Sequence, residues 1–335
     1  MSCFVIAEIG VNHNGDEALA AEMVLAAAGA GADAVKFQTF RADALVSSAA
    51  QTVAYQRERT GSDDQLSMLR RLELPMDAFR RLAEQCARLG VEFMSTPFDA
   101  ASADALVALG MKRLKVPSGE LTNLPLLRHV AGLGVPLIVS TGMSSMAEVE
   151  EALNSVRFAG ATDVTLLHCT SSYPTALSDV NLRAMDAMRE QFSVSIGYSD
   201  HTEGLLVPVA AVARGATVSE KHFTTDRSLP GPDQRASIEP AEFAEMVKTI
   251  RLVELALGSG AKEPRPDELA VRAAVRRSVV LRHDVAVGHV ISADDVELLR
   301  PGTGIQPADL GRVIGARMRR TLARGAMPTW DDLEV

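Results

Sequence analysis

Two stretches of the chain place ionisable residues where an apolar run ends. The run VSIGYSDHT leads to His201, and the run ATVSEKHFT contains Glu220, Lys221 and His222. Side chains alternate along a strand, so Glu220 and His222 point to one side and Lys221 to the other. If the two strands are neighbours, His201 and His222 lie roughly 4.8 Å apart and can share one divalent ion with open positions for water and substrate. Alternatively, both histidines form hydrogen bonds at strand ends, since no HxxxH or CxxC spacing marks them.

Two lysines also stand near the ends of apolar runs. Lys36 lies in AVKFQTF and Lys115 in RLKVPSGE. Two cations directed at one cavity of an acidic protein indicate an anionic ligand, and strand-end hydroxyls are phosphate ligands. Four serines occupy such positions: Ser118, Ser140, Ser171 and Ser199. The alternatives are turn-forming roles for the serines, a buried ion pair of the lysines with Glu8 or Glu120, and a Schiff-base role for one lysine.

Eight apolar runs followed by helical patterns make up roughly the first 260 residues. In chain order they are FVIAEIG, AVKFQTF, VEFMSTPF, RLKVPSGE, PLIVSTGM, VTLLHCTSSYP, VSIGYSDHT and ATVSEKHFT. Eight strand–helix units in about 255 residues predict a (β/α)8 TIM barrel of the α/β class. The alternative, an open doubly wound sheet, needs a fingerprint such as GxGxxG after the first strand, and AEIGVNHNG lacks one. In a barrel the polar strand ends meet at one mouth, where they are expected to form the site.

The segments between the runs carry helix and turn signals. DEALAAEMVLAAAGAGA predicts a helix capped by Asp16, and PMDAFRRLAEQCARLG predicts a helix between Pro75 and Gly90. The polar segment from Phe40 to Pro75 is predicted to be an extended loop with a functional role. After the eighth run, PGPDQRAS predicts a rigid turn that presents Asp233 to the barrel mouth, with a plain turn as the alternative.

The composition changes near residue 260. Residues 1–260 form the predicted barrel, residues 261–274 a linker rich in proline and charge, and residues 275–335 a small, mainly β domain. A domain of about 60 residues buries a limited core, which favours docking or dimer contacts.

Charge and cysteine usage exclude several classes of protein. The formal net charge is −9 and no basic run with interleaved aromatic residues occurs, which argues against a nucleic-acid partner. Cys3, Cys86 and Cys169 are far apart, as expected of reduced thiols in the cytoplasm. The N-terminus does not resemble a signal peptide, and no apolar run approaches the roughly 18 residues of a membrane span.

Nine motifs in order, and the C-terminal segment, resemble one known family. The motifs are AEIGVNHNG, GADAVKFQTF, STPFD, LKVPSGE, STGMSS, LHCTSSYP, GYSDHT, EKHFT and PGPD. They resemble those of the sialic acid synthase family, whose members condense phosphoenolpyruvate with N-acylmannosamine-type sugars to give nine-carbon nonulosonic acids. The segment from RRSVVLRHDV onward is similar to that family's small SAF domain, which resembles type III antifreeze proteins. The resemblance therefore implies a TIM-barrel synthase with an antifreeze-like domain.

The resemblance also implies a role for each candidate residue. It implies a divalent metal on His201 and His222, with Mn²⁺ expected and Mg²⁺ or Co²⁺ as alternatives. Phosphoenolpyruvate would be held by Lys36, Lys115, Ser118, Ser140, Ser171 and Ser199. The sugar would be surrounded by Glu8, Gln38, Glu120, Tyr173 and Asp233. Arg300 resembles the arginine that one subunit sends into the other subunit's site, which implies a domain-swapped homodimer.

Two positions depart from some relatives and leave the sugar open. Phe37 stands where some carry histidine, and Pro117 where some carry glycine. The forms VPSGE and KFQTF resemble relatives that act on 2,4-diacetamido sugars, the legionaminic acid branch. The expected substrate is therefore either N-acetylmannosamine or 2,4-diacetamido-2,4,6-trideoxymannose.

The implied reaction forms a carbon–carbon bond and cleaves a C–O bond. C3 of phosphoenolpyruvate attacks the open-chain sugar aldehyde, which a metal polarises, and carboxylates stabilise the positive charge that develops at C2. Water then adds to C2, with Glu220 as one candidate base, and phosphate leaves. The alternatives are a Schiff-base pyruvate aldolase, a metal-dependent sugar hydrolase or isomerase, and a non-catalytic carbohydrate-binding protein.

Overall fold

The computed structural model describes residues 2–47 and 64–335, and the chain divides into two compact units, Met1–Gly258 and Ser259–Val335. The first unit contains an eight-stranded sheet in which all paired strands are parallel. Its strands are β1 (Phe4–Gly10), β2 (Ala34–Thr39), β3 (Glu92–Pro97), β4 (Leu114–Val116), β5 (Leu137–Ser140), β6 (Val164–His168), β7 (Ser195–Asp200) and β8 (Val218–His222). Each strand falls within one of the eight predicted apolar runs.

The strands form a ring. Their hydrogen-bonded order is β3-β2-β1-β8-β7-β6-β5-β4, and β3 and β4 lie against each other where the ring closes. Helices follow the strands and cover the outside, as the strand–helix alternation predicts. The predicted α/β barrel is thereby confirmed.

Alternation along the strands separates the barrel interior from the helix-facing layer. Val5, Ala7 and Ile9 of β1 belong to the large core shared with the helices. The opposite faces of the strands fill the interior with a separate apolar cluster: Ile6, Ala34, Met94, Ile138, Leu167 and Val218. Since this cluster closes the barrel below its mouth, the next inward-facing residue of each strand lines the mouth.

The described residues of the first unit form ten α-helices. They are α1 (Glu17–Gly29), α2 (Ala42–Leu45), α3 (Gln65–Arg70), α4 (Met76–Leu89), α5 (Ala100–Ala108), α6 (Leu124–Gly132), α7 (Met146–Phe158), α8 (Ala184–Phe192), α9 (Leu206–Ala213) and α10 (Pro240–Leu257). Asp16 caps α1 by accepting the backbone N–H groups of Ala18 and Leu19. Pro75 precedes α4 and Gly90 ends it at a φ of 76°, a left-handed conformation that suits glycine. Both helix predictions are confirmed.

The described part of the segment predicted as an extended loop after β2 contains two short helices. α2 and α3 lie within it, and residues 48–63 of the same segment lie outside the described residues. Asp64 caps α3 by accepting the backbone N–H of Leu66. This short capping signal outweighs the polar composition on which the loop prediction rested.

The second unit begins with a helix where the composition predicted a linker. Its elements are α11 (Pro266–Val275), β9 (Ser278–Leu281), β10 (Val296–Leu299), α12 (Leu310–Val313), β11 (Arg317–Met318) and β12 (Leu333–Glu334). Pro266 occupies the first turn of α11, and the Glu268 carboxylate accepts the backbone N–H of Arg265 at 2.7 Å. Proline and charge are typical both of linkers and of helix starts, so composition alone did not separate the two.

The small β unit contains two copies of one pattern. HDVAVGHVISADDVE and RTLARGAMPTWDDLE align without a gap and share the ending Asp-Asp-apolar-Glu, with Gly288 and Gly325 both at positive φ. Val285 and Leu322 occupy equivalent positions and exchange both backbone hydrogen bonds at 2.9 Å. A residue that pairs with its own equivalent lies on a local two-fold axis. The unit therefore closes its small core around this axis.

No helix in the described ranges, 2–47 and 64–335, has the length and apolar character needed to cross a membrane.

Candidate active site

A cavity of about 480 Å³ opens at the carboxyl ends of the barrel strands. All eight strands contribute to its wall, either by their last residues or by the turns that follow. The predicted site residues that line it are Glu8, Lys36, Gln38, Lys115, Ser118, Ser140, Ser171, Tyr173, Ser199, His201, Glu220 and His222. Residues from distant parts of the sequence meet here because the ring brings all strand ends together.

Two lysines and two glutamates form the buried centre of the cavity. Lys36 Nζ lies 2.6 Å from Glu8 Oε2 and 3.7 Å from Glu220 Oε2. Lys115 Nζ lies 3.6 Å from the other oxygen of the same carboxylate, Glu220 Oε1. The four side chains are at most 7% exposed. Of the two ion pairs considered from sequence, Lys36–Glu8 is present; the shared partner is Glu220 and not Glu120.

The two glutamates have opposite pKa shifts. Burial raises the pKa of Glu8 to about 7, because its one lysine offsets only part of the lost hydration and Glu220 repels it. Burial also acts on Glu220, but Lys115 and Lys36 outweigh it and lower that pKa to about 2. A carboxylate held ionised by two lysines is a weak base near neutral pH, which favours electrostatic stabilisation over proton transfer for Glu220.

Hydroxyl groups surround this charged centre. Lys115 Nζ donates to Ser140 Oγ at 2.7 Å, and Ser199 Oγ donates to Glu220 Oε1 at 2.9 Å. Lys36 Nζ donates to Thr96 Oγ1 at 2.9 Å, so Thr96 joins the cavity wall although it was not among the predicted site residues. A period-two count from Met94, which faces the barrel interior, would have found it.

His201 and His222 lie side by side at the mouth. Their ring centroids are 5.5 Å apart, and the Tyr173 ring lies 4.2 Å from that of His201. Burial lowers the pKa of both imidazoles, and for His222 the neighbouring His201 lowers it further. Both rings are therefore neutral near pH 7, the state in which imidazole binds metals.

The unpaired nitrogens of these rings fit a divalent ion. His201 Nδ1 lies 2.7 Å from the carbonyl oxygen of Thr170, so this nitrogen carries the proton and Nε2 keeps its lone pair. His222 Nδ1 is buried and has no hydrogen-bond partner within the described part of the chain. Among those residues no group of three histidine, cysteine or acidic side chains could hold an ion. An ion bound here would therefore take its other ligands from water or substrate.

Lys221 lies on the opposite side of β8, as alternation predicts. Its ammonium pairs with the Asp200 carboxylate at 2.5 Å, and both side chains are at most 1% exposed. The register places Asp200 beside Lys221 and Ser199 beside Glu220. The Lys221–Asp200 ion pair therefore lies on the helix-facing side of the strands, and the Ser199–Glu220 pair faces the cavity.

Three predicted site residues are not among the described residues that line the cavity. Glu120 lies on the short 3-10 turn Ser118–Glu120 and accepts a hydrogen bond from Asn123 Nδ2 at 2.7 Å. Asp233 follows a turn whose Pro230 carbonyl accepts from Asn14 Nδ2 at 2.7 Å. Arg300 is exposed in the second unit. The roles assigned to these three residues stay predictions.

A parallel barrel whose mouth carries two buried lysines and two neutral histidines, followed in the chain by a duplicated β unit, defines a class that known proteins share. The NeuB family model matches residues 23–262, and the SAF domain model matches residues 276–334. The chain belongs to the NeuB family.

Individual relatives resemble the chain over nearly its whole length. The N,N'-diacetyllegionaminic acid synthase of Legionella pneumophila is 50% identical over 100% of this chain and 96% of that protein. The enzyme of the same name from Campylobacter jejuni is 44% identical over 90% of this chain and 91% of that protein. The solved N-acetylneuraminic acid synthetase from Leptospira borgpetersenii matches 81% of this chain and 90% of its own, with 35% identity and a TM-score of 0.72.

Proposed function

We propose that the chain condenses phosphoenolpyruvate with 2,4-diacetamido-2,4,6-trideoxymannose to give N,N'-diacetyllegionaminic acid and inorganic phosphate. It is a nonulosonic acid synthase by its family and its relatives. The identity of the sugar rests on the two relatives with 50% and 44% identity, both named for that product. The structural observation that carries the proposal is one cavity that combines two buried lysines with two neutral histidines.

The lysine side of the cavity suits phosphoenolpyruvate. Lys36 and Lys115 supply the positive charge, and the hydroxyl groups of Ser118, Ser140 and Ser171 line the same cavity. Charged donors and hydroxyls together bind phosphate and carboxylate oxygens strongly in a dry site. Glu220 keeps the two lysines in place and supplies a negative charge for the cation that develops at C2.

The histidine side suits the sugar aldehyde. We propose that His201 and His222 hold Mn²⁺, since nitrogen ligands with positions left for oxygen are compatible with this ion. A bound divalent ion would polarise the aldehyde carbonyl. The chain's own residues orient this end of the cavity: Thr170 sets the tautomer of His201, and Tyr173 packs against its ring.

The assembly proposal concerns Arg300 and a second subunit. We propose a homodimer in which Arg300 of one subunit completes the partner's site, in line with the family resemblance. We also propose a cytoplasmic location, which the three free cysteines support because a reducing compartment keeps such thiols unpaired.

Phosphate release from phosphoenolpyruvate in the presence of Mn²⁺ tests the reaction and the sugar. The panel is N-acetylmannosamine, its 6-phosphate and 2,4-diacetamido-2,4,6-trideoxymannose, with the last expected to give the highest kcat/KM. Preference for N-acetylmannosamine would overturn the choice of sugar. Borohydride with pyruvate should trap no adduct, and a trapped lysine adduct would instead support a Schiff-base aldolase.

A further inference from the structure

Gly142 lies directly beneath the hydroxyl groups of the cavity. It follows β5 in the sequence Ser140-Thr141-Gly142, and the preceding residue is fixed because Thr141 donates from both its N–H and its hydroxyl to the Leu167 carbonyl. The Gly142 N–H donates to Ser118 Oγ at 2.9 Å. The backbone at Gly142 is thus held from one side by β6 and from the other by the turn after β4.

A side chain at position 142 would collide with three cavity groups at once. A Cβ there would lie 2.4 Å from Ser171 Oγ, 2.9 Å from Cys169 Sγ and 2.9 Å from Ser118 Oγ. Gly142 does not have a positive φ, so its backbone conformation does not require glycine. Glycine is required because the three neighbouring side chains leave no room for a Cβ. At Gly119, which lines the same cavity, a Cβ would meet nothing within 4 Å.

The three groups come from two different strand ends. Ser118 follows β4, while Cys169 and Ser171 follow β6, and β5 with Gly142 lies between them in the sheet. The missing side chain lets the two flanking ends approach each other across β5. Ser118 Oγ reaches Cys169 Sγ at 3.2 Å as a result. Lys115 and its partner Ser140 line the same side of the cavity.

We propose that Gly142 is a positioning residue for the phosphate of phosphoenolpyruvate: by lacking a side chain, it brings the Ser118 and Ser171 hydroxyls together beside Lys115. This inference rests on the proposed function. It predicts that a side chain added at position 142 weakens binding of phosphoenolpyruvate. Binding of the sugar, on the histidine side, should be unaffected.

The test is Gly142→Ala, with Gly132→Ala as the matched control. Gly132 ends α6 remote from the cavity, and a Cβ there meets nothing within 4 Å. Gly142→Ala should raise KM for phosphoenolpyruvate at least about tenfold, since hydrogen bonds to a charged group are displaced. KM for the sugar and kcat should stay within about twofold, and Gly132→Ala should match wild type in all three. An unchanged KM for phosphoenolpyruvate in a folded Gly142→Ala enzyme would overturn the inference.

A double-mutant cycle with Ser171→Ala separates positioning from a general loss of packing. Ser171→Ala should weaken phosphoenolpyruvate binding in the wild-type background and have little further effect in Gly142→Ala, because the displaced hydroxyl no longer contributes. Additive effects would contradict the proposal. If Gly142→Ala does not fold, the double variant Gly142→Ala/Ser171→Gly removes the closest contact. That variant should fold and show a higher KM for phosphoenolpyruvate than Ser171→Gly alone, because the new Cβ still displaces Ser118 Oγ. A KM equal to that of Ser171→Gly alone would refute the role.

Calorimetry of the wild-type chain with phosphoenolpyruvate and no sugar distinguishes a failure of the proposed function from a failure of the Gly142 role. If the wild type neither binds phosphoenolpyruvate nor releases phosphate with any sugar of the panel, the proposed function fails. If the wild type does both, and Gly142→Ala binds phosphoenolpyruvate equally well, only the positioning role of Gly142 fails.

Discussion

At the scale of single residues, the two buried lysines of the cavity share one counter-ion, Glu220. Glu220 contacts both lysines and accepts the Ser199 hydroxyl, whereas Glu8 contacts one lysine and accepts from the Gln38 amide at 3.2 Å. Removing one partner of a buried ion pair leaves an uncompensated charge that water cannot reach. Removal of Glu220 therefore affects both lysines, whereas removal of Glu8 affects Lys36 alone.

Glu220→Gln should destabilise the barrel more than Glu8→Gln. The first change leaves Lys36 and Lys115 facing each other without their common anion, at a cost of about 3 kcal/mol in the free energy of unfolding. The second removes the partner of one lysine, at about 1 kcal/mol. Denaturant unfolding of the two variants measures the difference. Equal losses would show that Glu220 is not the principal counter-ion.

His222→Ala should abolish metal binding and activity together. The buried imidazole offers Nδ1 without a hydrogen-bond partner among the described residues, and losing one of two protein ligands should weaken Mn²⁺ binding by at least about 100-fold. Electron paramagnetic resonance titration with Mn²⁺ reads binding directly. His129→Ala is the control, because His129 is 37% exposed and contacts Asp104, away from the cavity. Unchanged Mn²⁺ binding in His222→Ala would rule out the two-histidine site.

At the scale of elements, the duplicated β unit depends on two buried carboxylates. Asp295 accepts from the N–H and hydroxyl of Ser292, and Asp332 accepts from the same groups of Thr329. At equivalent positions, His283 pairs with Asp295 and Arg320 with Asp332. Each carboxylate thus holds the start of a short strand, β10 or β12, in one copy of the pattern.

These carboxylates predict loss of stability in acid. The Arg320 guanidinium is the main cause that lowers the pKa of Asp332 from 3.8 to about 2. A lowered folded-state pKa stabilises the unit above the ordinary value, and this stability is lost as the pH falls from about 4 towards 2. Trp330, the single tryptophan of the chain, reports the transition by fluorescence.

Asp332→Asn tests whether the Asp332 carboxylate causes the loss of stability in acid. It should lower stability at pH 7 by about 2 kcal/mol, because a charged acceptor is lost, and flatten the acid dependence seen by Trp330. Asp331→Asn changes an exposed neighbour and should leave both unchanged. If Asp332→Asn retains the wild-type acid transition, another group is responsible.

At the scale of the whole molecule, the proposed domain-swapped dimer predicts complementation. Arg300→Ala and His222→Ala should each be inactive alone. After dissociation and random reassociation, half of the dimers are mixed and each has one complete site, so activity should reach about a quarter of wild type. Size exclusion with differently tagged chains confirms that mixed dimers form. Mixed dimers without recovered activity would place Arg300 outside the partner's site.

Sequence patterns predicted the barrel well because each strand is a short apolar run with its own boundaries. They also placed Glu220 and His222 towards the cavity and Lys221 away from it, since alternation follows from strand geometry alone. They missed α11, whose proline and charged residues are equally typical of a linker. They left Thr96 out of the candidate site residues, although alternation from Met94 directs its hydroxyl towards the cavity.

The sequence by itself determined the strands, the direction of their side chains and the family to which the chain belongs. These properties depend on neighbours a few residues apart, whose geometry repeats along any strand. Only the tertiary structure decided that Glu220 is shared by Lys36 and Lys115, and that Gly142 lies under Ser118 and Ser171. Such contacts join strands that are far apart in the chain. Their distances depend on the order and stagger of the closed ring, which no local pattern records.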